Sequence, residues 1–572
     1  MNSSVHRHTS QRCDRPICWI AQLALGFCLA LIGAGLPAQS LAPPPTLTPD
    51  LADFPLVQPY DLGVITISQQ GVAAPFHTMP IPLTGAIAVP DGPGPFPWVL
   101  LLHGRHPGCH FADGDDSQWP CPPETETRYD WGLAYLAQAL AEAGYGVLVP
   151  NLNGAFTDTY GATAANRSDL ADQRSSQIIN AHLTQLEAAH RGDSGDFDMP
   201  LDGQVDHSKL AVVGHSMGGG AAALWALGQA QASQPASTRP PSALVLVAPT
   251  RSQSVSDRPE VFQLPDVPAA VLVGGCDRDI FDFSSLYYLE TARQDSARTT
   301  PAIGVLLWGA NHNFFNAAVA PDDYYRLPNH RDLCDPQRSS HRLSRVIQED
   351  VLSQYIITFL QAVWSEPTDR HPLATLGLAP DRAAPSHFQG LSATTNLVLP
   401  ATHRFTVFNA ETSPEQLPQP SPGLTLHRCP SFAACAGRPR PYPKFPGVLA
   451  LRWATPTEQL HFPLPSVPIN TFDSLELRLA MNANVTDSEV ALGLILQDQQ
   501  GKAVRVDIPA TAPALRQFSE KATPGHTYPT ALRVPLQQFH GVNLTALVSL
   551  TIVLDQVSPG RLYLSTIEFV RR

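Results

Sequence analysis

Lysine is scarce in this chain. Of its 572 residues only Lys209, Lys444, Lys502 and Lys521 are lysines, so arginine carries nearly all of the positive charge. Charged residues amount to 15% and the formal charge is −13. With no basic cluster, nucleic acid and anionic lipid are excluded as main partners. There is no P-loop, no G-x-G-x-x-G turn and no His/Cys set at zinc spacing. Nothing therefore calls for a nucleotide, a metal or any other cofactor. Beyond the first forty residues no run is long and apolar enough to cross a bilayer.

The one long apolar run, Ile17 to Leu36, follows Arg7, Arg12 and Arg15 and precedes small residues around Ala34 to Ser40. Residues 1–40 read as a signal peptide cut near Ala38 or Ser40; an uncleaved membrane anchor is the alternative. Bulky Phe27 argues against lipoprotein processing at Cys28. Cys13, Cys18 and Cys28 fall in this leader, which leaves Cys109, Cys121, Cys276, Cys334, Cys429 and Cys435. An even number of cysteines in an exported chain suggests disulfides. Nearest-neighbour pairing joins Cys109 to Cys121, Cys276 to Cys334 and Cys429 to Cys435. The expected location is secreted, periplasmic or cell-surface.

The most informative segment is Leu210-Ala211-Val212-Val213-Gly214-His215-Ser216-Met217-Gly218-Gly219-Gly220. An apolar strand meets a glycine-flanked serine, and Ala221 to Ala230 read as a helix. Ser216 thus falls on a sharp strand-to-helix turn, its hydroxyl projecting above a helix amino terminus that offers free N–H groups. Three further strand ends supply what an activated serine needs. Trp98 to Leu102 runs into His103-Gly104-Arg105, where an N–H of Arg105 would join that of Met217 in an oxyanion hole beside Gly104. Ala269 to Gly275 leads to Cys276-Asp277-Arg278-Asp279. Asp277 is the first choice of acid, being closest to the strand end, with Asp279 as the alternative. Ile303 to Trp308 precedes Gly309-Ala310-Asn311-His312-Asn313-Phe314-Phe315, and His312 is the base. The order Ser, Asp, His, each member following a buried strand, points to a catalytic triad.

Residues about 60–365 resemble secreted bacterial α/β-hydrolases of the esterase, lipase and dienelactone-hydrolase-like group. The resemblance lies in His103-Gly104-Arg105-His106, in Cys109 with Trp119-Pro120-Cys121, and in Asn153-Gly154. It continues in the Ser216 turn, Cys276-Asp277-Arg278-Asp279 and Gly309 to Phe315. It implies an α/β-hydrolase fold and ester cleavage by Ser216, Asp277 and His312. Arg278 stands where many such chains have glycine.

The pattern along the chain fits. A proline-rich lead-in (41–59) precedes a catalytic domain (60–365) in which strands alternate with helices at 129–143, 168–190 and 346–364. That alternation gives an α/β, mostly parallel sheet covered on both faces. His103, Phe314 and Phe315 are candidate substrate-binding residues, and the loops 106–128, with Trp119, and 151–167, with Phe156 and Tyr160, are candidates to shape specificity. Residues 366–400 read as a linker. From 401 to 572 short β-rich runs recur, including the alternating Leu475-Glu476-Leu477-Arg478-Leu479, as in an all-β antiparallel sandwich. Its part from Leu475 to Phe569 resembles a jelly-roll carbohydrate-binding-type domain, which implies attachment to a glycan or polymer surface; a structural appendage is the alternative. Trp453 reads equally as core. The sequence thus describes an exported serine hydrolase of small-molecule or polymeric carboxylic esters. An amidase or polyester depolymerase using the same residues, and a non-catalytic surface-binding protein, are the alternatives.

Overall fold

The computed structural model describes residues 48–572 apart from 110–118, 123, 194–196, 233–239, 251–258, 281–282, 324–333, 336–339, 366–373, 412–417, 436–446, 466–467, 482–489, 516–527 and 556–559. The leader and the cluster Pro43-Pro44-Pro45 lie outside the described residues. Among the described residues no helix is long and apolar enough to cross a membrane.

Ten strands make one mixed sheet: β1 (Val57–Ser68), β2 (Thr78–Ala88), β3 (Phe96–Leu102), β4 (Gly146–Pro150), β5 (Val205–His215), β6 (Ala243–Val247), β7 (Ala269–Gly274), β8 (Ala302–Leu307), β9 (His387–Phe388) and β10 (Leu391–Val398). Their spatial order is β1-β2-β4-β3-β5-β6-β7-β8-β10-β9. Strands β3 to β8 run parallel, while β1 and β2 flank them antiparallel at one side and β10 at the other. Every residue of β6, β7 and β8 is buried, which is why these strands read as unbroken apolar runs.

The connections supply the covering layers: α1 (Ala134–Glu142), the single turn α2 (Asn153–Phe156), α3 (Arg167–His190), α4 (Met217–Gln231), α5 (Tyr287–Gln294) and α6 (Arg345–Trp364). Side chains alternate across the pleat. Leu100 and Leu102 therefore share a core with Ile178, Ile179 and Leu183 of α3 and Leu289 of α5. Val99 and Leu101 face Leu136 and Leu140 of α1 and Tyr355, Ile356 and Phe359 of α6. The expected mostly parallel sheet with helices on both faces is present.

The expected linker needs correction. Within 366–400, Leu391–Val398 forms β10, which pairs with β8 from Ala393 to Val398 and with β9 at Leu391 and Ser392, so this stretch completes the first sheet. Its prolines lie outside the strand, and Thr394, Thr395 and Val398 suit a pleated position. The lead-in is corrected in a smaller way, since Leu51–Asp53 forms a helical turn and β1 begins at Val57.

The remaining strands are β11 (Arg404–Asn409), β12 (Gln419–Pro420), β13 (Leu424–Cys429), β14 (Val448–Trp453), β15 (Glu458–Pro463), β16 (Ser474–Met481), β17 (Leu492–Asp498), β18 (Ala503–Ile508), β19 (Thr530–Pro535), β20 (Leu547–Leu554) and β21 (Gly560–Val570). They form two antiparallel sheets, β13-β14-β21-β16-β19 with β11 against β21, and β12-β15-β20-β17-β18. Leu, Ile and Phe side chains of both sheets fill the space between them, and Trp453 belongs to that core. On the outward row of the second sheet stand Gln459, His461, Thr551, Ile495, Gln497 and Arg505, with no Trp, Tyr or Phe among them.

The outer face of the first of these sheets is buried against α5 through charges. Glu290 of α5 accepts from Arg478 of β16, Nη1 lying 2.9 Å from Oε2, and from the Tyr528 hydroxyl. Arg293 pairs with Glu568 of β21, which also accepts from Arg404 at 3.0 Å. Arg533 of β19 donates to Glu476 at 2.8 Å and to the carbonyls of Gly377 and Ala379. Burial pushes the Glu290 carboxyl up, but the Arg478 guanidinium outweighs it and holds that carboxyl below the usual range. Removing one partner of such a set leaves an uncompensated buried charge. Arg478→Ala should therefore cost about 3–5 kcal/mol of stability, read as a lowered urea midpoint; an unchanged midpoint would contradict the network's role.

Candidate active site

Strand β5 ends at His215 and α4 begins at Met217, so Ser216 makes the whole turn between them. Its backbone sits at φ 54°, ψ −125°, a region that side-chain-bearing residues avoid. Hydrogen bonds hold it there. Ser216 N–H donates to Val247 O at 2.9 Å, and the Ser216 carbonyl accepts from Gly219 N–H at 2.9 Å and Thr250 N–H at 3.0 Å. The turn also needs bare backbone beside it. A Cβ on Gly218 would collide with His103 O and lie 2.6 Å from Leu102 O; one on Gly104 would lie 2.7 Å from Ser216 Cβ. The Gly104 loop is therefore pressed directly against the serine. Met217 N–H, first in α4, has no partner within the helix.

The loops after β7 and β8 bring Asp277 and His312 together. Asp277 Oδ2 lies 2.8 Å from His312 Nδ1, and both residues are at most 1% exposed. The other Asp277 oxygen accepts from Ile280 N–H at 2.7 Å. Asp279, by contrast, is 66% exposed in its side chain and stands 3.7 Å from the opposite ring nitrogen, Nε2. The geometry selects Asp277 as the carboxylate on Nδ1. His312 Nε2 is buried and makes no hydrogen bond to protein. Ser216 lies on the same rim, since the neighbouring His215 ring is 4.9 Å from the His312 ring and its Nε2–H donates to His312 O at 3.1 Å.

Electrostatics set the state of this imidazole. Burial works to lower its pKa, but the Asp277 charge and hydrogen bond, helped by Asp279 and Asp323, prevail and push it up to about 9. His215, buried beside it without a carboxylate, is driven well below its ordinary value.

Two of the three candidate substrate contacts, His103 and Phe315, need correction. His103 is fully buried with both ring nitrogens committed: Nε2 accepts from Leu152 N–H at 2.7 Å and Nδ1–H donates to Gly104 O at 2.8 Å. It clips the Gly104 loop to the end of β4 and does not face a ligand. Phe315 is buried in the core beneath the sheet, 5.9 Å edge-on from His215. Phe314 is half-buried, with the Arg345 guanidinium 4.5 Å over its ring. Trp119 and Phe156 likewise pack in the core, and the Trp119 indole donates to Pro80 O at 3.1 Å. Arg105 reaches across to Asp158 at 2.6 Å and so ties the Gly104 loop to the segment after α2. Residues 110–118 and 123 of the loop 106–128 lie outside the described residues.

The cysteines pair as expected, with Cα separations of 5.3 Å for Cys109–Cys121, 5.3 Å for Cys276–Cys334 and 5.8 Å for Cys429–Cys435. Cys276–Cys334 anchors the residue just before Asp277.

Sequence reasoning missed several supports of this site. Gln348 of α6 clamps Asn311 through both of its backbone groups, at 3.0 and 2.8 Å. His106 lies over Tyr129 at 4.8 Å with an orphaned, buried Nε2, and burial together with the nearby His312 lowers its pKa to about 3. Asp323 accepts from the backbone of both the Asp277 and the His312 loops. The HGRH resemblance marked His106; no pattern marked Gln348 or Asp323.

Among solved structures the chain is similar to a dienelactone hydrolase-like promiscuous phosphotriesterase from metagenomic libraries, at 15% identity over 54% of this chain and 100% of that one, TM-score 0.31. It is similar to a sugar hydrolase from Lactococcus lactis at 14% identity over 52% of this chain and 97% of that one, TM-score 0.31. It is also similar to a family 11 carbohydrate-binding module from Clostridium thermocellum at 8% identity over 30% of this chain and 96% of that one, TM-score 0.21. No protein-family model and no curated protein matches it.

A methyl group placed at Gly218 must displace backbone, whereas one at Gly228, later in the same helix, meets nothing within 4 Å. Gly218→Ala should cost roughly 1–3 kcal/mol, as overpacking does, while Gly228→Ala should stabilise by up to about 1 kcal/mol. Urea midpoints of the two variants check this; equal shifts would contradict the tight turn.

Proposed function

We propose that this protein is an exported serine hydrolase with an α/β-hydrolase fold that cleaves carboxylic esters through an acyl-enzyme. One observation carries the reading. A serine at positive φ heads a helix directly after His215, whose ring lies 4.9 Å from an imidazole with its Nδ1 held by a buried carboxylate and its Nε2 without a hydrogen-bond partner. Export is supported by the leader-like residues 1–40 and by the paired cysteines. The substrate is a small-molecule or polymeric ester, and no cofactor enters the scheme.

In this reading His312 Nε2 removes the Ser216 hydroxyl proton as Oγ attacks the ester carbonyl. The N–H groups of Met217 and Arg105 hold the resulting oxyanion, each donor worth about 3–4 kcal/mol. Collapse expels the alcohol, which takes the proton back from His312. Water then attacks the acyl-serine, giving its proton to His312, and the acid leaves as Ser216 recovers its hydrogen. Asp277 fixes the tautomer throughout and stays ionised.

Kinetics on p-nitrophenyl esters test the proposal. Ser216→Ala should lower kcat by about four to six orders of magnitude while the protein stays folded; unchanged turnover would overturn it. The base must be neutral to act, and its pKa is pushed up to about 9. Activity is therefore lost as pH falls through that value, and kcat/KM should climb from pH 7 towards a plateau in the alkaline range. A flat profile across that window would contradict the assignment of His312.

A further inference from the structure

Asp323 lies eleven residues beyond His312 in the connection from β8 to α6, and its carboxylate bonds both the acid loop and the backbone of His312 itself. Its Oδ2 accepts from Arg278 N–H, next to Asp277, at 2.8 Å and from His312 N–H at 3.0 Å; Oδ1 lies 3.4 Å from Asn313 N–H. One carboxylate thus sets the spacing between the backbones of the acid and of the base. It is itself anchored. Pro321 O accepts from the Asn313 side chain at 3.0 Å, and the adjacent Asp322 is paired with Arg342. Arg345, at the start of α6, donates to the carbonyls of Asn316, Val319 and Ala320 just before it.

We propose that Asp323 is a positioning residue for the reaction assigned above: its carboxylate clamps the Asp277 and His312 loops so that the Asp277–His312 hydrogen bond is made before substrate arrives. The inference rests on that functional reading for its kinetic consequence, though not for the clamp itself. Two observations favour this role over packing. The carboxylate is spent on main-chain donors that belong to the two functional loops, and it lies close enough to bias the imidazole's charge. The groups facing His312 are the carboxylates of Asp277, Asp279 and Asp323 and the neutral imidazoles of His215 and His106. Those bearing on Asp323 are Asp277 and His312; burial and the Asp277 charge together push its carboxyl up to about 6.

Asp323→Asn keeps an acceptor and removes the charge. With p-nitrophenyl butyrate, kcat should fall about ten- to a hundredfold, as expected when a reacting group is slightly misplaced, while KM stays within about twofold. Because a carboxylate that raises the His312 pKa is gone, the acid limb of kcat/KM should move to lower pH. Asp323→Glu keeps the charge and should leave that limb in place while recovering part of kcat. A second readout needs no turnover: the low-field proton resonance of His312 Nδ1–H, assigned by its loss in His312→Gln, should shift in Asp323→Asn and titrate at lower pH than in the wild type. A resonance shifted by Asp323→Asn, together with a wild type that hydrolyses no ester, would uphold the clamp and sink the ester reading. An unmoved resonance, or an unchanged kcat with an unmoved acid limb, would overturn the clamp. Should Asp323→Asn fail to fold, Asp323→Glu decides: a lowered kcat with unchanged KM supports the proposal, and wild-type kinetics refute it.

Discussion

The contact on which the candidate site depends is the 2.8 Å bond between Asp277 and His312, made where neither side chain reaches water. A buried carboxylate is costly unless donors surround it, and a buried imidazole without an anion stays neutral. The structure satisfies both demands at one place. Ile280 N–H holds the second Asp277 oxygen, the Cys276–Cys334 bridge fixes the residue before it, and Asp323 and Gln348 tie down the base loop. Neighbouring His215 and His106 lack such a carboxylate, and burial drives both the opposite way. Four histidines share this region, yet only His312 combines a carboxylate on one nitrogen with an open second nitrogen.

That bond is positioned by the parallel sheet beneath it. Strands β7 and β8, and β5 from Ala211 onward, are buried on both faces and lie side by side with β6, so their carboxyl ends gather Ser216, Asp277 and His312 from places far apart in the chain. These strands were legible because a strand covered on both faces must be apolar at every residue. The turn at Ser216 was legible because backbone crowding there admits only glycine at its flanks. What could not be read was whether a polar or aromatic residue near the site turns inward or outward. His103 and Phe315 have the composition of ligand contacts and serve as a clip and as core. Asp323 carries no local pattern, because its partners are main-chain N–H groups, which every residue has. The 391–398 strand was missed for a related reason: surrounding prolines suggested a linker, and its pairing with β8 is a long-range event.

The β-sandwich changes character once its charges are placed. Glu476, Arg478, Arg533 and Glu568 occupy strand positions that would normally be outward and wet, and they are buried against Glu290 and Arg293 of α5. Alternation in Leu475 to Leu479 suggests a half-exposed sheet, and this is corrected: every residue of the strand is buried, because its polar face meets protein and not solvent. Breaking such a network leaves stranded charges, so the sandwich is energetically part of the same folded body as the sheet. Helix α5 follows the acid loop directly, which links this packing to the setting of Asp277.

The central claim is that Ser216 is a nucleophile activated by this imidazole. Reaction of the folded protein with a fluorophosphonate, followed by peptide mass spectrometry, tests it most directly. The account predicts one adduct per chain, on Ser216, forming faster as pH rises through the range in which His312 loses its proton. Absence of an adduct on the folded protein, or an adduct on another residue, would contradict it.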